Sequence, residues 1–292
     1  ALLCKKAYED GKVCINVPFL LKIRVKKFPS KTILCHHFEF FLVWSKVCKI
    51  RLQFITNMES IFYKKAADYW SKIPATLEGV LGGFGFISNV DIDGSKQFLE
   101  QLFDSENPPQ KKVALDCGAG IGRITKDLLI NIYDKVEMVE QNAAFLKQAE
   151  MSIEPKSKLG RMYPVGLQNF VTDQKYDVIW CQWVLGHLTD KDFIKFFIKC
   201  NPNGVIIVKE NVTSSGQLER DDVDSSVTRS LEHLLLLLTK SRLVIIKEYK
   251  QDNFPAGLYP VHMFALRSEG KVAGEMPKPN GSITVNNGTV QT

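Results

Sequence analysis

The stretch Lys111 to Thr125, KKVALDCGAGIGRIT, limits the fold more than any other. An apolar run, Val113-Ala114-Leu115, ends in Asp116; Gly118, Gly120 and Gly122 follow, and then a helix-forming segment. The pattern predicts a buried strand, a tight glycine turn and a helix N-terminus. Glycine is needed where backbone must approach a ligand closely or take a positive φ. The free N–H groups of the following helix make that end partly positive. A dinucleotide fingerprint, G-x-G-x-x-G, would need a last glycine where Arg123 stands. What remains is D-x-G-x-G-x-G, which suits a ligand-binding turn or a plain strand-to-helix connection.

On both sides of this turn the chain alternates regularly. Helical spacing over 60–73 (Phe62, Ala66, Tyr69, Ile73) is stopped by Pro74. The segment 79–95 reads as too glycine-rich for a helix, yet keeps Leu81, Phe84, Phe86 and Ile87. It suits a substrate lid or a packed connector. A short helix over 95–103 and a polar linker lead into the core strand. Beyond the turn the pattern predicts helices at 125–132, 142–151, 189–200 and 225–240, with strands at 135–140, 162–168, 176–183 and 204–210. Strands separated by helices imply a mostly parallel sheet covered on both faces. Two last strands, 242–250 and 259–267, lie too close together for a helical crossover and suit an antiparallel hairpin. Seven strands with an antiparallel closing pair depart from the six-stranded dinucleotide fold.

The net charge of +6 is unevenly placed: residues 1–57 carry 11 Lys and Arg against 3 Asp and Glu, leaving the remainder slightly acidic. A nucleic-acid role cannot rest on charge away from the folded binding face. Four of the seven cysteines also fall there (Cys4, Cys14, Cys35, Cys48). No spacing suggests a zinc site or a C-x-x-C pair, so no metal is expected and the compartment reads as reducing. No run of about 20 apolar residues predicts a membrane span. Four segments are expected. Residues 1–57 are an atypical basic extension, either not native, with Met58 the natural start, or disordered. A mitochondrial-type leader is the second reading, against which Glu9 and Asp10 count. Residues 58–110 hold N-terminal helices and the lid, 111–268 the core, and 269–292 a disordered tail.

Ligands of open α/β sheets bind at the carboxyl ends of the strands. Glu140 ends the second strand, where a carboxylate accepts from ribose hydroxyls or is merely solvated. Gly166-Leu167-Gln168 ends the third, placing an amide and a backbone N–H to read adenine. Gln182-Trp183 ends the fourth, with His187 just beyond, and Lys209-Glu210-Asn211 the fifth. Asp221, Asp222 and Asp224 then precede an expected helix. Capping and the helix dipole account for one or two of them. Three, with Asn211 and His187 on the same rim and Trp70 and Trp183 as walls, suggest a pocket for a cation.

The blocks Asp68-Tyr69-Trp70, LGGFG at 81–85, LDCGAGIGRITK at 115–126, GLQ at 166–168, YDVIWCQWVLGHLTD at 176–190, PNG at 202–204, KEN at 209–211 and DDVDSS at 221–226 together resemble the protein α-N-terminal methyltransferases. The resemblance runs roughly from Phe62 to Arg267. It implies a class I, Rossmann-like α/β sheet of seven mostly parallel strands, helices on both faces, and an N-terminal helical and lid extension. It implies S-adenosyl-L-methionine (SAM) as cofactor, S-adenosyl-L-homocysteine as product, and substrates that begin X-Pro-Lys or X-Pro-Arg after removal of Met. Carried over residue by residue, Gly118, Arg123, Glu140, Leu167, Gln168 and Gln182, with Gly120 of the turn, contact SAM, Arg123 pairing its carboxylate. Trp70, Leu81, Gly82, Ile87, Trp183, Asp221, Ser226 and Tyr259 line the peptide channel. Asp224, His187 and Asn211 form the catalytic set. The sequence departs from the family in having Glu140 for an aspartate, a shorter turn at 200–202 and a slightly longer loop from Asn211 to Asp221. A monomer in nucleus and cytoplasm, with no nucleic-acid or membrane contact, completes the expectation. A SAM-binding adaptor without activity and a small-molecule N-methyltransferase remain as alternatives.

Overall fold

Five strands make a parallel array: β1 (Val113–Cys117), β2 (Lys135–Val139), β3 (Leu159–Tyr163), β4 (Val178–Gln182) and β5 (Val205–Asn211). They belong to the computed structural model, which describes residues 57–199 and 204–269 and the backbone of Ala7–Glu9 and Lys12–Cys14, two segments that pair antiparallel. Ala1–Met58 and Glu59–Thr292 separate as two units, and the second carries the parallel array. Most of the expected 1–57 extension, the shortened turn at 200–202 and the tail beyond residue 269 lie outside the described residues.

Two further strands, β6 (Leu243–Lys250) and β7 (Val261–Ser268), form the expected hairpin, and β7 joins β5 antiparallel. The seven-stranded order is β6-β7-β5-β4-β1-β2-β3. The order reverses between β1 and β4, so a crevice opens beyond their carboxyl ends. Period-two alternation divides the apolar side chains into two layers. Leu115, Ile179 and Ile206 face one side with the phenylalanines of α6 (Asp190–Lys199) and the leucines of α7 (Leu231–Lys240). Ala114, Val178, Trp180 and Val205 face the other, under α3 (Ser88–Phe103) and α5 (Ala143–Ser152).

Several boundaries differ from expectation for physical reasons. A helix, α1, runs through 57–70, short of Ile73. The glycine-rich segment 79–95 is more helical than expected: α2 covers Leu77–Val80, a 3-10 turn covers Gly85–Ile87, and α3 begins at Ser88 rather than Ser95. The glycines cluster before Ser88; within α3 only Gly94 remains, and a Cβ there would stand 2.3 Å from Gln251 Oε1. The first crossover helix is short, α4 (Arg123–Asp127), because Leu128 leaves helical geometry and a 3-10 turn follows. The third strand ends at Tyr163 rather than Gln168, since Pro164 has no N–H to extend the ladder. The expected helix over 225–240 is shorter: Glu219–Asp221 and Ser226–Thr228 pair as a small hairpin, and α7 starts at Leu231, capped by the Ser230 hydroxyl.

Gly118 and Gly122 adopt φ of +69° and +79°. A Cβ on Gly122 would also meet Ile153 Cδ1 at 2.7 Å and Ala149 Cβ at 2.9 Å. Gly122→Ala therefore combines left-handed strain with overpacking and should cost about 2–4 kcal/mol. Urea unfolding measures this; a loss under about 1 kcal/mol would contradict the packing described.

Candidate active site

The crevice is walled by the glycine turn after β1, the ends of β2 and β4, the turn after β3, and α1. Gly118 N and Ala119 N both donate to Val139 O (2.8 and 3.0 Å), which folds the turn over the end of β2. A Cβ on Gly118 would stand 2.4 Å from Val184 Cγ2. Glu140 accepts from Gly120 N (3.0 Å) through Oε2 and from Asn142 N (2.8 Å) through Oε1. Burial pushes its carboxyl up, opposed by these N–H groups. Asp116 is fully buried beneath, accepts from Thr125 Oγ1 at 2.7 Å, and is pushed up by burial to about 6. Arg123 borders the crevice, its guanidinium 5.5 Å from the Trp183 ring centroid. Its Nη1 donates to Asp91 Oδ2 at 2.7 Å. Gln182 accepts from Trp180 Nε1 and donates to Asp91. Leu167 and Gln168 form the opposite wall.

At the other end α1 supplies Trp70, whose Nε1 donates to His187 Nε2 at 3.0 Å. The Trp70 carbonyl accepts from Asn142 Nδ2, and the Tyr63 hydroxyl donates to Asp192 at 2.6 Å, so α1 is fastened beside the crevice. Asp224 Oδ2 lies 4.0 Å from His187 Nε2. Burial lowers the His187 pKa against the pull of Asp224. A neutral ring that accepts from Trp70 at Nε2 carries its proton on Nδ1. Two buried polar atoms here, Trp183 Nε1 and Asp224 Oδ1, have no hydrogen-bond partner among the described residues, and the His187 ring faces the Ser225 backbone. Buried polar groups are ordinarily paired, so their clustering marks a place for a polar ligand.

The loop that carries Trp183 and His187 is held in strain. Trp183 has φ +51° and Ser225 φ +57°, a region bulky residues avoid. Glu210 Oε1 accepts from Val184 N (2.9 Å) and Leu185 N (2.8 Å), while Arg229 donates to Leu185 O and Leu188 O. Burial pushes the Glu210 carboxyl up to about 7.

The crevice gathers all seven expected cofactor residues, Gly118, Gly120, Arg123, Glu140, Leu167, Gln168 and Gln182, with Trp70, Leu81, Trp183 and His187. Asp224 reaches it through His187. The others do not line it. Asn211 ends β5 half-buried, and its side chain finds no hydrogen-bond partner among the described residues. Asp221, expected at a helix start, is an exposed hairpin residue whose Oδ1 accepts from Val223 N, with Ser226 opposite it in register. Tyr259 is exposed and donates to Glu219 Oε2 at 2.5 Å. Gly82 has φ +59° and open space around it, and Ile87 is buried under the lid. Asp91 and Arg229 were missed from the sequence, and Lys209 and Glu210, placed at the end of the fifth strand, were given no role. A Lys-Glu pair closing the apolar run Val205-Ile206-Ile207-Val208 was the available signal for two of them.

The raised Glu210 pKa has a signed consequence. The folded state holds that proton from about 4.5 up to about 7 while the unfolded chain has lost it, so this group's contribution to stability falls as pH rises through that window. The substitution Glu210→Gln would keep one acceptor for both N–H groups and remove the titration. The stability of this variant relative to the native chain should therefore improve by about 3 kcal/mol between the two ends of the window. Urea unfolding across that pH range checks this; a pH-independent difference would contradict it.

The described geometry has relatives. The AdoMet dependent proline di-methyltransferase family matches residues 58–267. Alpha N-terminal protein methyltransferase 1 of Drosophila melanogaster is 45% identical over 221 residues, covering 73% of this chain and 79% of its own. N-terminal Xaa-Pro-Lys N-methyltransferase 1 of Homo sapiens is 44% identical over 216 residues, covering 72% and 96%. A SAM-dependent methyltransferase of Leishmania major has a solved structure that superimposes with a TM-score of 0.66 at 37% identity, covering 70% of this chain and 83% of that one. With its seven-stranded sheet and the glycine turn opening onto a crevice, the chain belongs to the AdoMet dependent proline di-methyltransferase family and is a SAM-dependent protein N-terminal methyltransferase.

Proposed function

We propose that the enzyme methylates the α-amine of protein N-termini that begin X-Pro-Lys or X-Pro-Arg, acting as a monomer in nucleus and cytoplasm without nucleic acid. The relatives named for Xaa-Pro-Lys substrates support the sequence motif. The observation that carries the reading is the pair of unpartnered buried atoms, Trp183 Nε1 and Asp224 Oδ1, with Trp70, Trp183 and His187 lining the crevice and Asp224 4.0 Å from His187. Aromatic faces and a carboxylate suit an ammonium group. Proline at position two, with a fixed φ and no N–H, suits a narrow aromatic slot. The basic third residue is assigned to the exposed acidic hairpin, Asp221 with Glu219 close by, bordered by Tyr259. Lining roles go to Leu81, Gly82, Ile87 and Ser226, and Asn211 is assigned to the amine.

The residues fit SAM: Glu140 faces the crevice with both oxygens on backbone N–H groups, and Arg123 keeps its Nε and Nη2 without protein partners among the described residues. Bound there, SAM supplies a methyl group on a sulfonium. A protein α-amine has a pKa of about 7.7–8.0 and arrives largely protonated. Asp224 holds the ammonium. His187 Nε2 is occupied by the Trp70 N–H, so the free acceptor for the departing proton is Asp224 Oδ1. Asp224 would take one ammonium proton and pass it to solvent, freeing the nitrogen lone pair for the methyl group that bound SAM would supply. Most of the rest is positioning, in which the strained Trp183 loop takes part.

A Ser-Pro-Lys peptide incubated with enzyme and SAM should gain methyl groups by mass spectrometry while its N-acetylated twin does not; methylation of both would shift the target to the lysine side chain and overturn the reading. Asp224→Asn should lower turnover by roughly 100-fold or more with S-adenosylhomocysteine affinity nearly unchanged. Equal loss of both would remove Asp224 from the chemistry.

A further inference from the structure

Asp91, on the lid helix α3, is fully buried and accepts from three elements of the core. Oδ2 meets Arg123 Nη1 at 2.7 Å, Oδ1 meets Lys209 Nζ at 2.6 Å, and both oxygens accept from Gln182 Nε2 at 2.8 and 2.9 Å. Lys209 is itself fully buried on β5, does not line the crevice, and also donates to Asp91 O, Ser95 Oγ and Gln251 Oε1. Two cations thus share one carboxylate. A lone Asp91–Arg123 pair would be closed and neutral, and a guanidinium so engaged is a poor receptor for a second carboxylate. With Lys209 present these three groups keep one net positive charge, part of which the neighbouring Asp116 carboxyl takes up. Only Arg123 can deliver it to the crevice.

We propose that Lys209 is a positioning residue for the carboxylate of the cofactor's methionine end: by neutralising Asp91 it leaves the Arg123 charge available to the crevice. The role deepens the cofactor reading above and rests on it. It acts through Arg123 alone, so it concerns ligands that carry the amino-acid end and not the nucleoside portion, which Glu140 and Gln168 would hold. Burial lowers the Lys209 pKa to about 8 against the pull of Asp91, so the ammonium form, which the device needs, still predominates at neutral pH.

The test compares two probes by calorimetry: S-adenosylhomocysteine, which has the carboxylate, and 5′-methylthioadenosine, which lacks it. Lys209→Met should weaken S-adenosylhomocysteine by roughly tenfold or more and leave methylthioadenosine within about twofold. The double variant Asp91→Asn with Lys209→Met removes the competing carboxylate as well. It should regain most of the S-adenosylhomocysteine affinity, and it carries the test alone if the single variant does not fold. Unchanged S-adenosylhomocysteine binding in the single variant, equal loss of both probes, or no recovery in the double variant would each overturn the proposal. Native enzyme that bound neither probe would overturn the cofactor reading itself.

Discussion

One buried carboxylate fastens helix α3 to the parallel sheet. Asp91 sits on α3, while its partners come from the turn after β1, from β4 and from β5. A buried charge is stable only when paired and fully hydrogen-bonded. Lys209 and Arg123 accordingly hold Asp91 below the usual carboxylate range although burial acts the other way. Because Arg123 and Gln182 border the crevice, the same contacts that dock α3 set the shape and charge of one crevice wall. This helix cannot shift without disturbing the wall.

The other end is organised by strain. A tryptophan at φ +51° persists only where its surroundings over-determine it. Here the backbone after β4 is gripped from both sides: Glu210 takes its N–H groups, and Arg229, paired with Asp190, takes its carbonyls. Burying Glu210 raises its pKa and costs stability. What is obtained is a fixed placement of Trp183, and of His187 against Trp70 of α1. The N-terminal helix is therefore part of the site: it supplies one wall and the N–H that decides which nitrogen of His187 carries the proton.

The strand-turn-helix at 111–125, the alternation that followed and the closing hairpin were legible because their signals are local: apolar period, glycine placement, loop length. Strand ends then pointed to Glu140, Gln182 and His187 without knowledge of tertiary contacts. The hairpin at 219–228 was not legible. Asp and Ser cap helices and also make tight turns by the same side-chain-to-backbone bonds, and Asp221 bonding Val223 N is the second case. Nothing in Ser225 announces a left-handed φ. Asp91 was hidden because its partners lie 32, 91 and 118 residues away in sequence, and an aspartate in a glycine-rich connecting segment reads as solvated. Tyr259 entered through the family resemblance, Asn211 and Asp221 already through a strand end and the acidic cluster, and all three stand outside the crevice.

The central claim is that the α-nitrogen of a substrate protein, and no side-chain amine, occupies the polar gap between Trp70, Trp183 and Asp224. A crystal structure of the enzyme with S-adenosylhomocysteine and a Ser-Pro-Lys peptide tests it most directly. The account predicts the α-nitrogen hydrogen-bonded to Asp224 and facing the cofactor sulfur, with the lysine directed outward to the acidic hairpin. A lysine Nζ against Asp224, or a peptide N-terminus lying outside the crevice, would contradict it.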